Sequence, residues 1–395
     1  MENNKTIGVF FGSRSPEHDI SIITGQLIIA GLLGLGFKVV PVYLSRQGAW
    51  LIGDALGKMS NFTNPQIQIE QELKYQKYYL DLENSHGKIV FKQKGIGGKT
   101  ITIDLAFPAL HGSFGEDGTI QGLFEMLDVP YVGCDTASSA VAMDKALTKQ
   151  ICLQSNLPTT KFIVFTKTDW QKEKEVILNH VKAELAWPVF VKPVHLGSSI
   201  GIAKVSDQNI NELTNKIEVA FYYDNKVLVE EGVNNLMDVT CCLIGNDVPE
   251  ASLLQESVFS ADLFNFEEKY LKGGGSQLGK SQSGIVIPAT LDVQKTLIIQ
   301  QTAQKVYQVV GCSGIARIDF LLDKTTGEFF VNEINPLPGT LYHHLWEKSG
   351  LLLSELLQKL LDLAQEKYTQ KKNLNYAFQS SVLNNLGVGK LKLKK

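Results

Sequence analysis

A chain of 395 residues that is 44% hydrophobic has apolar material for two or three domains, each with a core of its own. Its 38 Lys and Arg stand against 41 Asp and Glu, a formal net charge of −3, which excludes the basic excess of a binder of bulk nucleic acid or an anionic membrane. No apolar run reaches the ~20 residues of a bilayer span or suits a signal peptide, and five cysteines without CxxC spacing read as the reduced thiols of a cytoplasmic protein.

Ile7–Phe11 is a short apolar run closed by Gly12, Ser21–Gly34 has helical periodicity, and Lys38–Leu44 is a second strand candidate. A strand–helix–strand of this kind predicts a parallel sheet with its ligand edge at the carboxyl ends of the strands. Arg46–Thr100 is more polar and reads as an elaborated loop and hairpin region, after which Ile101–Leu110 resumes the sheet. Ile120, Leu123, Phe124 and Leu127 then fall at i, i+3, i+4 and i+7, the stripe of a helix. This closes a first domain, 1–133.

Ala140–Gln154 predicts a helix, followed by strands at Lys161–Phe165, Pro188–Val191 and Ile200–Val205, a helix at Asn209–Tyr222 and a strand at Val227–Glu230. These make a second, α+β domain, 134–231. A third, 232–365, holds the strand Val239–Ile244, a polar loop Phe259–Gly284, the helix Asp292–Val310, two strands within 316–335 and the helix Leu351–Gln365. From Glu366 the chain is polar and Lys-rich and reads as a frayed tail, 366–395.

The segment Arg317-Ile-Asp319 … Asn332-Glu333-Ile-Asn335 joins two strands through the turn-forming Asp323-Lys-Thr-Thr-Gly. Strand side chains alternate, so Arg317 and Asp319 share a face, as do Glu333 and Asn335. If the strands pair, three oxygen ligands and one cation converge. Hard oxygen ligands suit Mg²⁺ bridging nucleotide phosphates, and an Arg beside them suits a developing oxyanion. On spacing alone this face is equally a solvated sheet surface closed by an ion pair.

Lys192 ends a strand and precedes the Gly/Ser loop His195-Leu-Gly-Ser-Ser-Ile-Gly201, whose small residues leave backbone N–H groups open to phosphate. Lys145 stands near a helix start; for any single lysine a solvated surface charge is the commoner role. Gly12–Ser21 and His111–Gly118 each follow a strand and precede a helix, at the edge where ligands bind. Gly274–Ser281 matches the P-loop expression, but its preceding residues are polar and its sequel, Gly284-Ile-Val-Ile-Pro288, is strand-like. A P-loop needs the opposite context, so this is a Gly/Ser loop.

Taken in order, seven of these segments resemble the D-alanine–D-alanine ligases of the ATP-grasp superfamily, from about Thr6 to Leu356. They are Ser15-Pro-Glu17-His18-Asp19-Ile-Ser21, His111-Gly-Ser-Phe-Gly-Glu-Asp-Gly118, Met143-Asp-Lys145, Lys192-Pro-Val-His-Leu-Gly-Ser-Ser199, Glu267-Glu-Lys269-Tyr270, Arg317-Ile-Asp319 and Asn332-Glu-Ile-Asn335-Pro-Leu-Pro-Gly339. The resemblance implies a mixed α/β and α+β chain: an ATP-grasp fold behind an N-terminal Rossmann-like parallel-sheet domain, with nucleotide between the second and third domains.

It implies that Lys145, Lys192, Ser198, Glu230, Val233, Asp238, Lys269 and Asn332 bind ATP, and that Asp319, Glu333 and Asn335 hold Mg²⁺ or Mn²⁺. Glu17 and His111 would hold the first amino acid, His344 and Leu345 the second, with Arg317 and the Gly339 backbone at the oxyanion. Lys269 and Tyr270 would lie on a closing loop, where Tyr270, Ser198 and Glu17 link loop to substrate. The implied reaction joins two D-alanines through an acyl phosphate, for peptidoglycan synthesis, in a cytoplasmic homodimer whose partners are small molecules.

Several positions depart from the pattern. Asp19 and Asp238 stand where the family often has Glu, Phe264 and Phe266 where it often has Tyr, and His344 where a Ser commonly meets the second amino acid's carboxylate. A Gly-rich insert follows Tyr270. The phosphate and metal residues are intact and the second-substrate end is altered, which leaves D-serine or another small amine as the alternative nucleophile.

Overall fold

The computed structural model describes residues 5–63, 78–95, 97–258, 284–375 and 380. The first block opens with Thr6–Gly12 (β1), His18–Gly34 (α1), Lys38–Leu44 (β2) and Trp50–Ile52 (β3). Tyr78–Leu80 (β4), Ile89–Gln93 (β5) and Thr100–Ile103 (β6) form a small antiparallel sheet of their own. Leu105–Pro108 (β7) and Thr119–Met126 (α2) follow. The main sheet has the order β3-β2-β1-β7, with β1 parallel to both β2 and β7. β1 is buried almost end to end, as a strand covered on both faces must be.

The expected single strand Ile101–Leu110 is therefore two. Asp104 breaks it: its carboxylate takes the Thr6 N–H at 2.8 Å and its own N–H bonds the Thr6 carbonyl at 2.9 Å. The side chains before it pack in one sheet and those after it in another, which the run of apolar residues could not reveal.

The expected helix Ala140–Gln154 is also two, Thr136–Met143 (α3) and Lys145–Gln154 (α4). Asp144 lies between them with extended backbone and caps the second by accepting the Leu147 N–H at 2.8 Å. Lys145 thereby becomes the first residue of a helix. Phe162–Thr166 (β8) is followed by Lys167–Glu184 (α5), a helix absent from the sequence reading because only Trp170, Ile177, Leu178 and Val181 of it are buried. Val189–Pro193 (β9), Ala203–Val205 (β10), Ile210–Tyr223 (α6) and Lys226–Glu231 (β11) complete an antiparallel sheet of order β10-β9-β11-β8.

Leu236–Gly245 (β12), Glu250–Ser257 (β13), Ile285–Val286 (β14), Gly314–Asp323 (β15) and Phe329–Asn335 (β16) form a third sheet, β14-β13-β12-β15-β16, backed by Val293–Val310 (α7). The short His343–Lys348 (α8) leads to Leu353–Lys372 (α9). The predicted end of this helix at Gln365 is corrected: it continues to Lys372 because Lys367, Tyr368, Lys371 and Lys372 find partners in the first block and at Ser313.

Of the apolar cores among the described residues, three bear on the arrangement of the site. One is continuous from β1 and α1 of the first block to Leu345 and Leu356–Leu361 of the last helices, so chain start and chain end are packed as one body. The second lies between β12, β15 and α7, and includes Ala142 and Cys152 from α3 and α4. The third lies between the antiparallel sheet of β8–β11 and helices α5 and α6. No helix among the described residues is long and apolar enough to cross a membrane.

Candidate active site

Strand β15 lies between β12 and β16, and its register sets the chemistry. Asp319 stands opposite Glu333 on one side and Thr240 on the other; Arg317 stands opposite Asn335. Arg317 is 2% exposed. It grips Asp319 with Nε to Oδ1 at 2.9 Å and Nη2 to Oδ2 at 2.6 Å, and Glu333 Oε1 lies 3.9 Å from Nη2. Burial works against its charge, but Asp319 and Glu333 hold the guanidinium more basic than usual. Its carbon sits 4.9 Å from the centre of the Tyr342 ring. The Thr240 hydroxyl donates to Asp319 Oδ1 at 2.9 Å and the Asn335 amide to Oδ2 at 3.2 Å.

The pairing of β15 with β16 slips after Asp319, where Glu333 and Val331 are matched and Asn332 is passed over. Such a bulge re-aims a side chain. Asn332 consequently meets the facing sheet, accepting from Lys192 Nζ at 3.0 Å.

Lys192 also pairs with Glu230, which is 1% exposed and bonded in addition to Lys149 at 2.7 Å and the Thr160 hydroxyl at 2.6 Å. Burial pushes the Glu230 carboxyl up, yet the two ammoniums outweigh it and hold it well below the usual carboxylate range. Lys145 Nζ lies 3.5 Å from Glu333 and donates to the Leu196 carbonyl at 2.6 Å. The expected phosphate lysines and the expected metal residues thus face one another between two sheets.

The loop after β9 delivers Ser198, which donates to Glu17 of the first block. Ser198 and Ser199 are both left-handed, with φ of 55° and 59°. Glu17 is nearly buried and crowded by glycine: a Cβ on Gly112 would lie 2.7 Å from its Oε2, and one on Gly197 3.0 Å from it. The approach is tighter at Gly112, whose φ of 70° also favours glycine. The Glu116 carboxyl takes the Gly112 N–H at 2.6 Å, and burial, then the nearby Glu17 charge, raises it well above its usual range.

His111 is buried against Thr24, whose hydroxyl lies 2.8 Å from Nε2 and already accepts the Thr340 N–H at 2.9 Å. A hydroxyl can accept one bond and donate another, so Thr24 can give its proton to Nε2 of a neutral ring. Burial, helped by Arg317, lowers its pKa to about 4.

Gly339 opens the turn Gly339–Tyr342, in which Thr340, Leu341 and Tyr342 are left-handed in succession (φ 49°, 55° and 50°). Each such residue costs on the order of 1 kcal/mol, and the burial of all three holds them there. Tyr342 is thereby laid on Arg317. Its hydroxyl accepts from Gln255 at 3.2 Å, and Gln255 Oε1 lies 2.8 Å from His344 Nε2. Burial lowers the His344 pKa to about 4, with His343 and Arg317 adding to the effect. Leu345 is fully buried in the shared core.

Val233 lies in the turn between β11 and β12, and Asp238 in β12 shares the Thr240 face, where its charge reaches Tyr342. Asp19 is at the surface, paired with Arg46 at 2.7 Å. Lys269, Tyr270, Phe264, Phe266 and the Gly274–Ser281 segment lie outside the described residues. The sequence reading passed over Lys149 and Thr240. Lys149 is one helical turn beyond Lys145, a visible signal; Thr240 joins Asp319 only through strand pairing.

The two halves of the chain match the family models for the N-terminus of D-Ala–D-Ala ligase, over residues 6–134, and for its C-terminus, over residues 151–362. The chain belongs to the D-alanine–D-alanine ligase family. Such ligases are ATP-dependent and act on small molecules. A D-alanine–D-alanine ligase from Caldicellulosiruptor bescii is 35% identical over 375 residues, covering 94% of this chain and 98% of its own length. One from Thermoanaerobacter sp. is 37% identical, covering 94% and 99%. Among solved structures, the D-alanine–D-alanine ligase of Coxiella burnetii superposes with a TM-score of 0.78 at 28% identity, covering 94% of this chain and 97% of that one. The D-Ala:D-Ser ligase VanG of Enterococcus faecalis gives 0.76 at 32%, covering 91% and 99%. The fold of this family is the ATP-grasp, and the expected α/β first domain ahead of it is the parallel sheet described above.

Proposed function

We propose that this protein uses ATP to join two D-alanines into D-alanyl-D-alanine, the step that peptidoglycan synthesis requires. The observation that carries the reading is the meeting of Lys192 from one sheet and Lys145 from the start of α4 with the Arg317–Asp319–Glu333–Asn335 face of another sheet, beside a Glu17–Ser198 bond from the first block.

Nucleotide lies between the two antiparallel sheets, its phosphates on Lys145 and Lys192 and its base and ribose toward Glu230, Val233 and Asp238. Lys192 is already fixed by Glu230 and Asn332, so a phosphate meets an ammonium that needs no reorganisation. Asp319, Glu333 and Asn335 offer only hard oxygens, which fits Mg²⁺ sharing its coordination with phosphates and water. Bound there, Mg²⁺ or Mn²⁺ would neutralise phosphate charge.

Glu17 takes the ammonium of the first D-alanine, with neutral His111 nearby. The carboxylate of that substrate attacks the terminal phosphorus, giving acyl phosphate and ADP. The free amine of the second D-alanine then adds to the carbonyl carbon, the nitrogen gives up a proton to the departing phosphate, and the C–O bond breaks to release inorganic phosphate. Arg317, locked by two acids, and the Gly339 backbone face the oxyanion of the tetrahedral intermediate. His344 and Leu345 bound the second-substrate end. A cytoplasmic homodimer is the expected setting, which sedimentation checks.

The test is ATP-dependent phosphate release with Mg²⁺ across D-alanine, D-serine, D-lactate and L-alanine, with products weighed by mass spectrometry. D-alanine alone should suffice and yield the dipeptide. Release only when D-serine or another amine is added to D-alanine would reassign the second substrate and make His344 the residue to change.

A further inference from the structure

The loop that carries Ser198 is tied down by a residue that the proposed mechanism does not use. His195 Nδ1 lies 3.0 Å from the Asp224 carboxylate and Nε2 3.2 Å from Asp144 Oδ2, while its backbone N–H donates to Asp224 Oδ2 at 2.7 Å. Asp224 caps the end of α6, and Asp144 caps the start of α4, the helix that begins with Lys145. Lys226 Nζ, from β11, bonds the same Asp144 oxygen at 2.9 Å. One ring therefore joins the start of the loop to two other segments.

We propose that His195 is a positioning residue for the nucleotide, bridging Asp144 and Asp224 so that the Gly197–Ser199 loop is held at a fixed distance from Lys145. The inference rests on the reading of Lys145 and this loop as phosphate ligands. Lys145 donates its backbone N–H to the Val194 carbonyl at 3.2 Å and its ammonium to Leu196, the residues on either side of His195. Movement at position 195 would therefore be felt at both.

With a carboxylate on each ring nitrogen, both nitrogens donate and the ring is an imidazolium. The charged groups around it are Asp144 from α4, Asp224 from α6 and Lys226 from β11. The two acids, set against burial, raise its pKa to about 9. The latch is thus closed at neutral pH and opens in alkali.

The experiment measures equilibrium binding of ATP with Mg²⁺, and KM for ATP and D-alanine, for the wild type, His195→Ala and His195→Arg between pH 7 and 10. His195→Ala should weaken ATP about tenfold at neutral pH, the size expected for losing a charge-assisted support, and raise KM for D-alanine by less than that, since Ser198 of the same loop also meets Glu17. His195→Arg keeps a cation between the acids and should restore binding to within about threefold. It should also retain ATP affinity above pH 9, where the wild type loses it, because a guanidinium does not titrate there. ATP binding indifferent to His195→Ala, or an alkaline fall shared by wild type and His195→Arg, overturns the inference. If His195→Ala does not fold, the second comparison decides alone. A wild type that binds no ATP overturns the ligase reading, and this inference with it.

Discussion

Without the Arg317 guanidinium, the Asp319 and Glu333 carboxylates would stand opposite one another on paired strands and lose the cation they share. Breaking a buried pair from one side costs ~3–5 kcal/mol, and losing an oxyanion donor costs ~10²–10³ in turnover. Arg317→Ala should therefore lower both unfolding free energy and kcat. Arg317→Lys should recover part of the stability and little of the turnover, because an ammonium cannot grip the Asp319 carboxylate with two parallel N–H bonds as the guanidinium does. Urea unfolding and phosphate release, measured side by side, separate the two effects; equal recovery of both would count against an oxyanion role.

Gly112 allows a second test at one residue. An added Cβ would stand 2.4 Å from Ser15 Oγ and 2.7 Å from Glu17 Oε2, at a φ of +70°. Gly112→Ala should raise KM for D-alanine by about tenfold or more through displaced Glu17, while leaving ATP binding unchanged. An unaltered KM for D-alanine would remove Glu17 from the substrate site.

At the scale of elements, what the sequence made legible was whatever depended on alternation and turn chemistry within one segment. Asp323-Lys-Thr-Thr-Gly announced the β15–β16 hairpin, and alternation along it brought Arg317, Asp319, Glu333 and Asn335 to one place. What stayed hidden depended on partners distant in sequence. The bulge that turns Asn332 to Lys192 has no local mark, nor does the pairing of Thr240 with Asp319. Helix α5 was missed because its buried positions are sparse, and the break at Asp144 because a capping aspartate looks like any helix-start acid when apolar residues flank it on both sides.

The end of α9 was misjudged for a related reason: a Lys-rich sequence looks solvated until its acceptors are known. Tyr368 donates to the Asp128 carbonyl at 2.9 Å, Lys367 to Ser313 at 2.5 Å, and Lys371 pairs with Glu125. Ending the chain after Gln365 should therefore lower stability by ~1–3 kcal/mol relative to ending it after Asn375, since several partly buried hydrogen bonds go at once. Thermal unfolding of the two truncated chains decides it, and equal midpoints would make the last turns of α9 dispensable.

Across the whole molecule, the buried histidines make stability depend on pH in opposite directions. His111 joins the first block to the turn before α8, and burial lowers its pKa from 6.5 to about 4; His344 is lowered to about 4 likewise. Between these values the unfolded chain binds protons that the folded chain refuses. Their contribution is therefore complete above pH 6.5 and is lost as pH falls toward 4. For His111, almost fully buried, this amounts to on the order of 3 kcal/mol.

His195 acts the other way. Its pKa is raised to about 9, so its contribution is complete below pH 6.5 and is lost as pH rises through 9. Glu230, held low by Lys149 and Lys192, adds a further loss at the acid end. Stability should peak near pH 6.5 by this balance. His111→Asn removes one of three buried rings held below their usual pKa, His18 being the third, so the slope of unfolding free energy between pH 6.5 and 4 should become shallower, with the alkaline limb intact. His195→Arg should do the reverse, flattening the alkaline limb and leaving the acid one. Urea titrations of the three proteins from pH 4 to 10 provide the measurement. An acid limb that keeps its full slope in His111→Asn would mean that His111 is not the neutral hinge between chain start and chain end.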